Sequence, residues 1–463
     1  MKKLFGLVLL LATLFTLTAC TGEIPHGVAP EEDWGFPSIT VTFEWPLDRH
    51  EWKDATVSLT DADGAALLTD AAARIRGRGN SSWNMAYWGW GSGDWNRRSK
   101  QPFRLRFDPP VSMPDAGYEA RDWTFIANLS DHTLMRNYSA YYLASLLDGM
   151  HYAPFARFVH VYFDGPNPQD LRGAYRGVYM VSVQLSEVLE TRTNLMADPD
   201  PTQSEYLMQM CMRLGRDDRL AYGLDFMTVN TRHYEVRYPS GRRLTDDHMR
   251  YVYDFLSRID TAIFAENETV FDYIDLDSFV DYFIVQELYK NPDVHFSSVW
   301  MQIRGQGADR RLHMGPVWDF DIAAGNAYYQ GQHFQGEVRL PPGIESYEYG
   351  YSPYGHFVSV FNQWYRYLMK QPIFRAALLE RWNEVRDTHI RQTIDRIAYM
   401  AETYRADFER NVVRWPYMGH SVWPNPEAVV AINTFQGQVD YLIDFLERRA
   451  TWLDTALNEA WRD

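Results

Sequence analysis

The chain has 463 residues and a formal net charge of -16 at pH 7, with 45 Lys and Arg against 61 Asp and Glu. Such an acidic balance argues against general nucleic-acid binding, whose affinity rests on neutralising phosphates. Only Cys211 follows Cys20, so no internal disulfide is expected and stability has to come from the core.

Lys2 and Lys3 precede an apolar run from Leu4 to Leu17, which closes on Leu17-Thr-Ala-Cys20. The pattern predicts a signal peptide over residues 1–19, with a lipobox-like end that implies cleavage before Cys20 and lipidation of its thiol. The expected location is therefore the cell membrane, lipid-anchored on the extracytoplasmic face. The 444 residues from Cys20 onward exceed one ordinary core and suggest two lobes. Residues 20–37 lack periodicity and are rich in Gly, Pro and acidic residues, as a flexible tether would be.

Ile39 to Phe43, Ala55 to Leu59 and Pro102 to Phe107 are expected to be strands of a β-rich first lobe that ends near residue 125. Between Trp83 and Lys100 an aromatic, Gly-rich loop has the length of a lid, or of a surface flap. Helical spacing from Leu134 to Leu147 follows Ser130 and Asp131, two good caps. Arg157 to Phe163 and Gly173 to Val181 read as an antiparallel hairpin, and Asp277 to Tyr289 as a buried helix. Val299 to Arg304 and Arg311 to Met314 form a second hairpin. From residue 357 to 463 the pattern is mostly helical, broken at Pro416 and at Pro424-Asn-Pro426, and this region is expected to pack on a domain covering residues 38–356. The fold class is α+β.

Four segments carry more charge and polarity than a core needs. They are Arg74-Ile-Arg-Gly-Arg-Gly-Asn-Ser-Ser-Trp83, Asn128-Leu-Ser-Asp-His-Thr-Leu-Met-Arg-Asn137, Glu287-Leu-Tyr-Lys-Asn-Pro-Asp293 and Met314-Gly-Pro-Val-Trp-Asp-Phe-Asp321. In extended chain Asp319 and Asp321 face one side and are able to clamp Mg²⁺ or Mn²⁺, or else form a solvent-facing pair. Asn291-Pro-Asp293 is either a loop projecting into a cleft or plain turn chemistry. Arg76 and Arg78 are either phosphate partners or a solvated strand face. Arg136 and Asp131 read best as a structural ion pair.

In content and order the four segments resemble the spore-coat protein H (CotH) kinase-like family, atypical relatives of protein kinases, from about Ile39 to Asn326. The resemblance implies a bilobed kinase-like fold using ATP with Mg²⁺ or Mn²⁺. Asp293 would be the catalytic carboxylate, and Asn291, Asp319 and Asp321 the metal ligands. Arg76, Arg78, Lys100, Arg104 and Trp318 would hold the nucleotide, with Lys100-Gln-Pro-Phe-Arg104 similar to the family's Lys-x-Pro-Tyr-Arg segment. The implied activity is transfer of phosphate from ATP to Ser or Thr of a spore-coat or envelope protein. Two positions depart from the family: Val183 and Gln209 stand where acids are expected, and Gln184 or Glu187 are the available substitutes. The alternatives are a catalytically impaired member that binds a ligand or protein, and a cell-wall carbohydrate-binding lipoprotein using aromatic loops at 84–95 and 328–354.

Overall fold

The computed structural model describes residues 35–83, 100–164, 175–187, 195–211, 226–328 and 357–459. The signal peptide, Cys20, nearly all of the tether, the loop at 84–95 and almost all of the segment at 328–354 lie outside these residues. The protein is α+β, with two sheets and a helical C-terminal region.

The first sheet is a closed barrel of β1 (Ser38–Phe43), β2 (Lys53–Thr60), β3 (Ala66–Gly77), β4 (Phe103–Ser112), β5 (Glu119–Ile126), β6 (Arg157–Asp164) and β7 (Tyr175–Val183), in the order β1-β2-β3-β4-β5-β7-β6. Period-two alternation builds it: Ile39, Val41, Ile75, Phe103, Leu105 and Phe107 are buried. Arg74, Arg76, Arg104 and Arg106 take the alternate positions and are less buried. Phe103 stacks on Phe125 at 4.4 Å and meets Tyr179 edge-on at 5.5 Å, filling the interior with aromatic rings. The expected β6–β7 hairpin is antiparallel, but β6 also pairs in parallel with β1, and this contact closes the barrel. Closure leaves the first sheet without an open edge.

The second sheet has the order β12-β11-β8-β10-β9, from β8 (Tyr206–Met210), β9 (Phe226–Val229), β10 (Arg232–Tyr238), β11 (Val299–Arg304) and β12 (Arg311–Met314). The β11–β12 hairpin has the bounds that alternation predicts.

Helix α1 (Arg136–Leu146) is buried along nearly its whole length. Neither Ser130 nor Asp131 caps it in the expected way. Met135 occupies the cap without a side-chain bond, while Asp131 reaches five residues on and accepts from the Arg136 backbone N–H at 2.7 Å. Helix α2 (Asp246–Phe264) begins on a Thr245–His248 capping box. Helix α3 (Leu276–Tyr289) is capped by Asp275, which accepts from the Ser278 N–H, and ends on Lys290 in the left-handed conformation.

The C-terminal helices are α4 (Val358–Phe361), α5 (Gln363–Leu368), α6 (Pro372–Val385), α7 (Arg391–Thr403), α8 (Arg405–Arg414), α9 (Glu427–Val430) and α10 (Phe435–Glu459), with one π-helical turn at Arg386–Ile390. They pack against α1, α3 and β7. Among the described residues no helix is long and apolar enough to cross a membrane.

Candidate active site

A cleft of about 210 Å³ is walled by both sheets and by the acidic loop after β12. Residues Arg78 to Ser82 follow β3 at the barrel mouth, and Gln184 follows β7. Gln209 of β8, Arg237 of β10 and Trp300 of β11 come from the second sheet. Asp293, Ser298, Trp318, Asp319 and Asp321 supply the acidic side, and Trp423 reaches in from the C-terminal region. Of the sequence candidates, the structure brings together Arg78, Asp293, Trp318, Asp319 and Asp321.

The acidic loop is held by the second motif. Asn137 accepts from the Phe320 N–H at 2.6 Å and donates to Asn128 at 2.8 Å. Arg136 is fully buried against Asp131 at 2.6 Å, and its guanidinium also donates to the carbonyls of Ala323 and Ala324. Asn326 ties the Asp321 carbonyl at 2.7 Å to the Ser130 carbonyl at 2.8 Å. The expected Asp131–Arg136 ion pair is thus present, and it orients a loop as well as balancing charge.

Within this frame Asp319 has φ of +69°, an uncommon conformation for a non-glycine residue. Ser298, itself at φ +59°, donates its hydroxyl to Asp319 Oδ2 at 2.9 Å. The Asp319 N–H points to the Tyr141 hydroxyl at 3.4 Å, and the Trp318 ring stacks on Tyr141 at 5.6 Å. Burial pushes the Tyr141 phenol well above its ordinary pKa, which keeps it neutral.

Burial also raises the Asp321 carboxyl well above the usual range, and repulsion from Asp319, Asp131 and Asp293 adds to it. Arg78 stands on the other side of the balance. Burial lowers its pKa while Asp319 and Asp321 oppose that shift. A raised carboxyl beside further acids favours either a proton or a cation. Among the described residues no three His, Cys, Asp or Glu side chains converge as a metal cage. Mg²⁺ is commonly held by one or two carboxylates plus phosphate oxygens, so a pair such as Asp319 and Asp321 suits an ion that arrives with a phosphate.

The other candidates lie elsewhere. Asn291 is 1% exposed, and its Oδ1 accepts from the Asp293 N–H at 3.1 Å, capping the 3₁₀ turn Pro292–His295. That turn chemistry fixes Asp293 without placing Asn291 in the cleft wall. Lys100 is 1% exposed, and its ammonium lies 5.1 Å from the Tyr179 ring centre. It borders a separate small cavity with Asn128, Asp131 and His132. Burial holds its pKa well below the ordinary value, with Asp131 opposing. Arg104 pairs with Asp122 at 2.5 Å, and Arg76 lies over Trp52 at 4.6 Å, both on the outer barrel face. Strand alternation explains their placement, since residues flanking Ile75 and Leu105 must point away from the interior.

Two glycines of the first motif have packing roles. A Cβ at Gly77 would meet the Trp83 ring, and Gly79 has φ of +90°. Val183 is wholly buried, whereas Gln184 and Gln209 line the cleft and Glu187 accepts from the backbone N–H groups of Arg121 and Asp122. Sequence reasoning missed Arg237, Ser298, Trp300 and Trp423. Ser298 and Trp300 follow closely on Asp293 and were within reach of it, but nothing local marks Arg237 or Trp423.

An α+β protein whose two sheets wall a carboxylate-rich cleft with an arginine opposite is the class that fold and site define. The family model for CotH kinase protein matches residues 75–453, and the chain belongs to that family. It is kinase-like on this ground, and the family implies use of ATP and a divalent cation in general. No curated protein matches the chain.

Proposed function

We propose that the protein transfers the γ-phosphoryl of ATP to a Ser or Thr hydroxyl of an envelope or spore-coat protein, outside the cytoplasm, from a lipid anchor at Cys20. The observation that carries the reading is the meeting of Arg78, Asp293, Asp319 and Asp321 in one cleft from three distant segments. Phosphoryl transfer needs positive charge on the phosphates, carboxylates for a cation, and a group that orients the acceptor hydroxyl.

Arg78 binds phosphate oxygens by its planar guanidinium. Asp319, oriented by Ser298, and Asp321 would hold Mg²⁺ or Mn²⁺, which when bound neutralises charge on the transferring phosphoryl group. Asp293 accepts the hydrogen bond of the acceptor hydroxyl and takes its proton as the new P–O bond forms and the γ-phosphorus bond to the bridging β–γ oxygen breaks, releasing ADP. Trp318 presents an aromatic wall at the same opening.

Labelled ATP with Mn²⁺ or Mg²⁺ tests the reading through autophosphorylation or transfer to a coexpressed envelope protein. Asp319→Ala is expected to abolish cation-dependent nucleotide binding and transfer together. Asp293→Asn is expected to keep binding while lowering transfer by roughly 10²-fold or more. Nucleotide binding without transfer to any acceptor would replace the kinase with a binding protein. Two observations favour that second reading: Val183 is sealed in the core, and uncharged Gln184 and Gln209 line the cleft.

A further inference from the structure

The outer face of β3 and β4 gathers four arginines around one indole. Arg74, Arg76, Arg104 and Arg106 place their guanidinium carbons 5.7, 4.6, 5.5 and 4.6 Å from the Trp52 ring centre. The register sets Arg74 opposite Arg106 and Arg76 opposite Arg104, so like charges face each other across the strands. Such pairs destabilise a sheet unless something compensates them.

Compensation is incomplete. Asp122 takes Arg106 in a two-pronged pair at 2.8 and 2.9 Å and Arg104 at 2.5 Å. Glu187 adds a weaker attraction for Arg106. The register brings Asp54 opposite Arg74, yet neither Arg74 nor Arg76 forms an ion pair among the described residues. Burial, then Arg104 and Arg106, lower the pKa of Arg76, with Asp122 opposing, so repulsion within the cluster outweighs the one nearby carboxylate. All this stands on a chain whose net charge is -16.

The patch adjoins the cleft. Arg78, two residues beyond Arg76, lines the cleft, and Gln184 of the cleft wall donates its N–H to the Asp122 carbonyl at 3.0 Å. At about 3.3 Å per residue, Arg76 and Arg74 lie roughly 7 and 13 Å along the strand from Arg78, the span of two to four extended residues.

We propose that this arginine face binds a phosphoserine already present on the acceptor chain, two to four residues from the hydroxyl that enters the cleft. The inference rests on the kinase reading and deepens it: the preferred substrate is a segment phosphorylated once, and successive serines are modified in turn. Arg74 and Arg76 supply the donors that no ion pair engages among the described residues, and Trp52 offers its ring to the cluster they share with Arg104 and Arg106.

Anisotropy with labelled peptides tests it on the full-length protein in detergent. One peptide carries phosphoserine three residues from a free serine, a second carries serine at both places, and a third carries glutamate for the phosphoserine. The phosphopeptide is expected to bind about tenfold or more tightly than either of the others. Arg74→Gln/Arg76→Gln is expected to remove that gain while Mn²⁺-dependent nucleotide binding stays unchanged and the melting temperature holds or rises with the relief of like-charge repulsion, which reports an intact fold. Equal binding of the three peptides, glutamate matching phosphoserine, or a gain that survives the double substitution would overturn the proposal. Binding is read without turnover, so absence of transfer overturns the kinase reading alone, and absence of the phosphopeptide gain with transfer intact overturns the patch alone.

Discussion

Asp321 is where burial and like charge act together on one carboxyl. Its pKa is raised in the folded protein, so the folded state holds the proton more tightly than the unfolded chain. The resulting stabilisation is present at acid pH and is lost as pH climbs past the ordinary carboxylate range. Above that range the carboxyl therefore opposes folding, whether it ionises in place or keeps its proton, unless a cation sits beside it. Asp321→Asn is expected to raise the melting temperature in chelator and to remove most of the further rise that Mn²⁺ gives the wild type. An undiminished Mn²⁺ effect in the variant would show that the cation binds elsewhere. His132 shifts the other way. Burial lowers it to about 4, and among the described residues neither of its ring nitrogens has a hydrogen-bond partner. The unfolded chain then takes up the proton first, so stability is complete above the ordinary 6.5 and falls as pH drops toward 4. His132→Leu is expected to hold or raise stability at pH 7 and to flatten the loss between pH 7 and 5, by at most about 1.4 kcal/mol per pH unit. Melting curves at the two pH values decide it.

Among the elements, α3 does the most to join parts of the chain. Glu287, in its last turn, accepts from the N–H groups of Phe357 and Val358 at 2.7 and 2.5 Å and pairs with Arg449 of α10 at 2.6 Å. Both side chains of the pair are buried, and burial lowers the Arg449 pKa to about 10. Glu287→Gln leaves a buried guanidinium without its counter-charge and is expected to cost about 3–5 kcal/mol, read by denaturant unfolding. Glu287→Gln with Arg449→Met is expected to recover part of that loss. Elements of this kind are legible in the sequence because their signals are local: alternation from Ile39 to Phe43, and the near-continuous apolar pattern from Phe279 to Leu288. Barrel closure was not legible, since the parallel β1–β6 contact joins residues more than a hundred positions apart and carries no pattern of its own. The site divides in the same way. Asp319 and Asp321 sit in one short motif and fall in the cleft together, whereas Arg104 and Arg76 follow the strand faces that their apolar neighbours dictate and Lys100, just ahead of β4, is buried beside a separate cavity. Asn291 shows the limit of a motif, because a side chain that caps a turn and one that meets a ligand have the same identity.

For the whole molecule, the location proposal is the easiest to test. Cys20→Ser is expected to release the protein into the aqueous fraction or to leave it unprocessed at the membrane; membrane association of a correctly cleaved variant would exclude the lipid anchor. The C-terminal helices raise a different matter. Trp423 lines the cleft, the Ser130 hydroxyl donates to the Trp423 carbonyl at 2.8 Å, and Asn425 donates to Asn326 at 2.9 Å beside the acidic loop. A segment about a hundred residues downstream of the last carboxylate therefore completes the wall that faces it. Exchange of α4 to α10 between family members would carry a piece of the cleft with it, so such a hybrid is expected to change at the site as well as in its C-terminal helices.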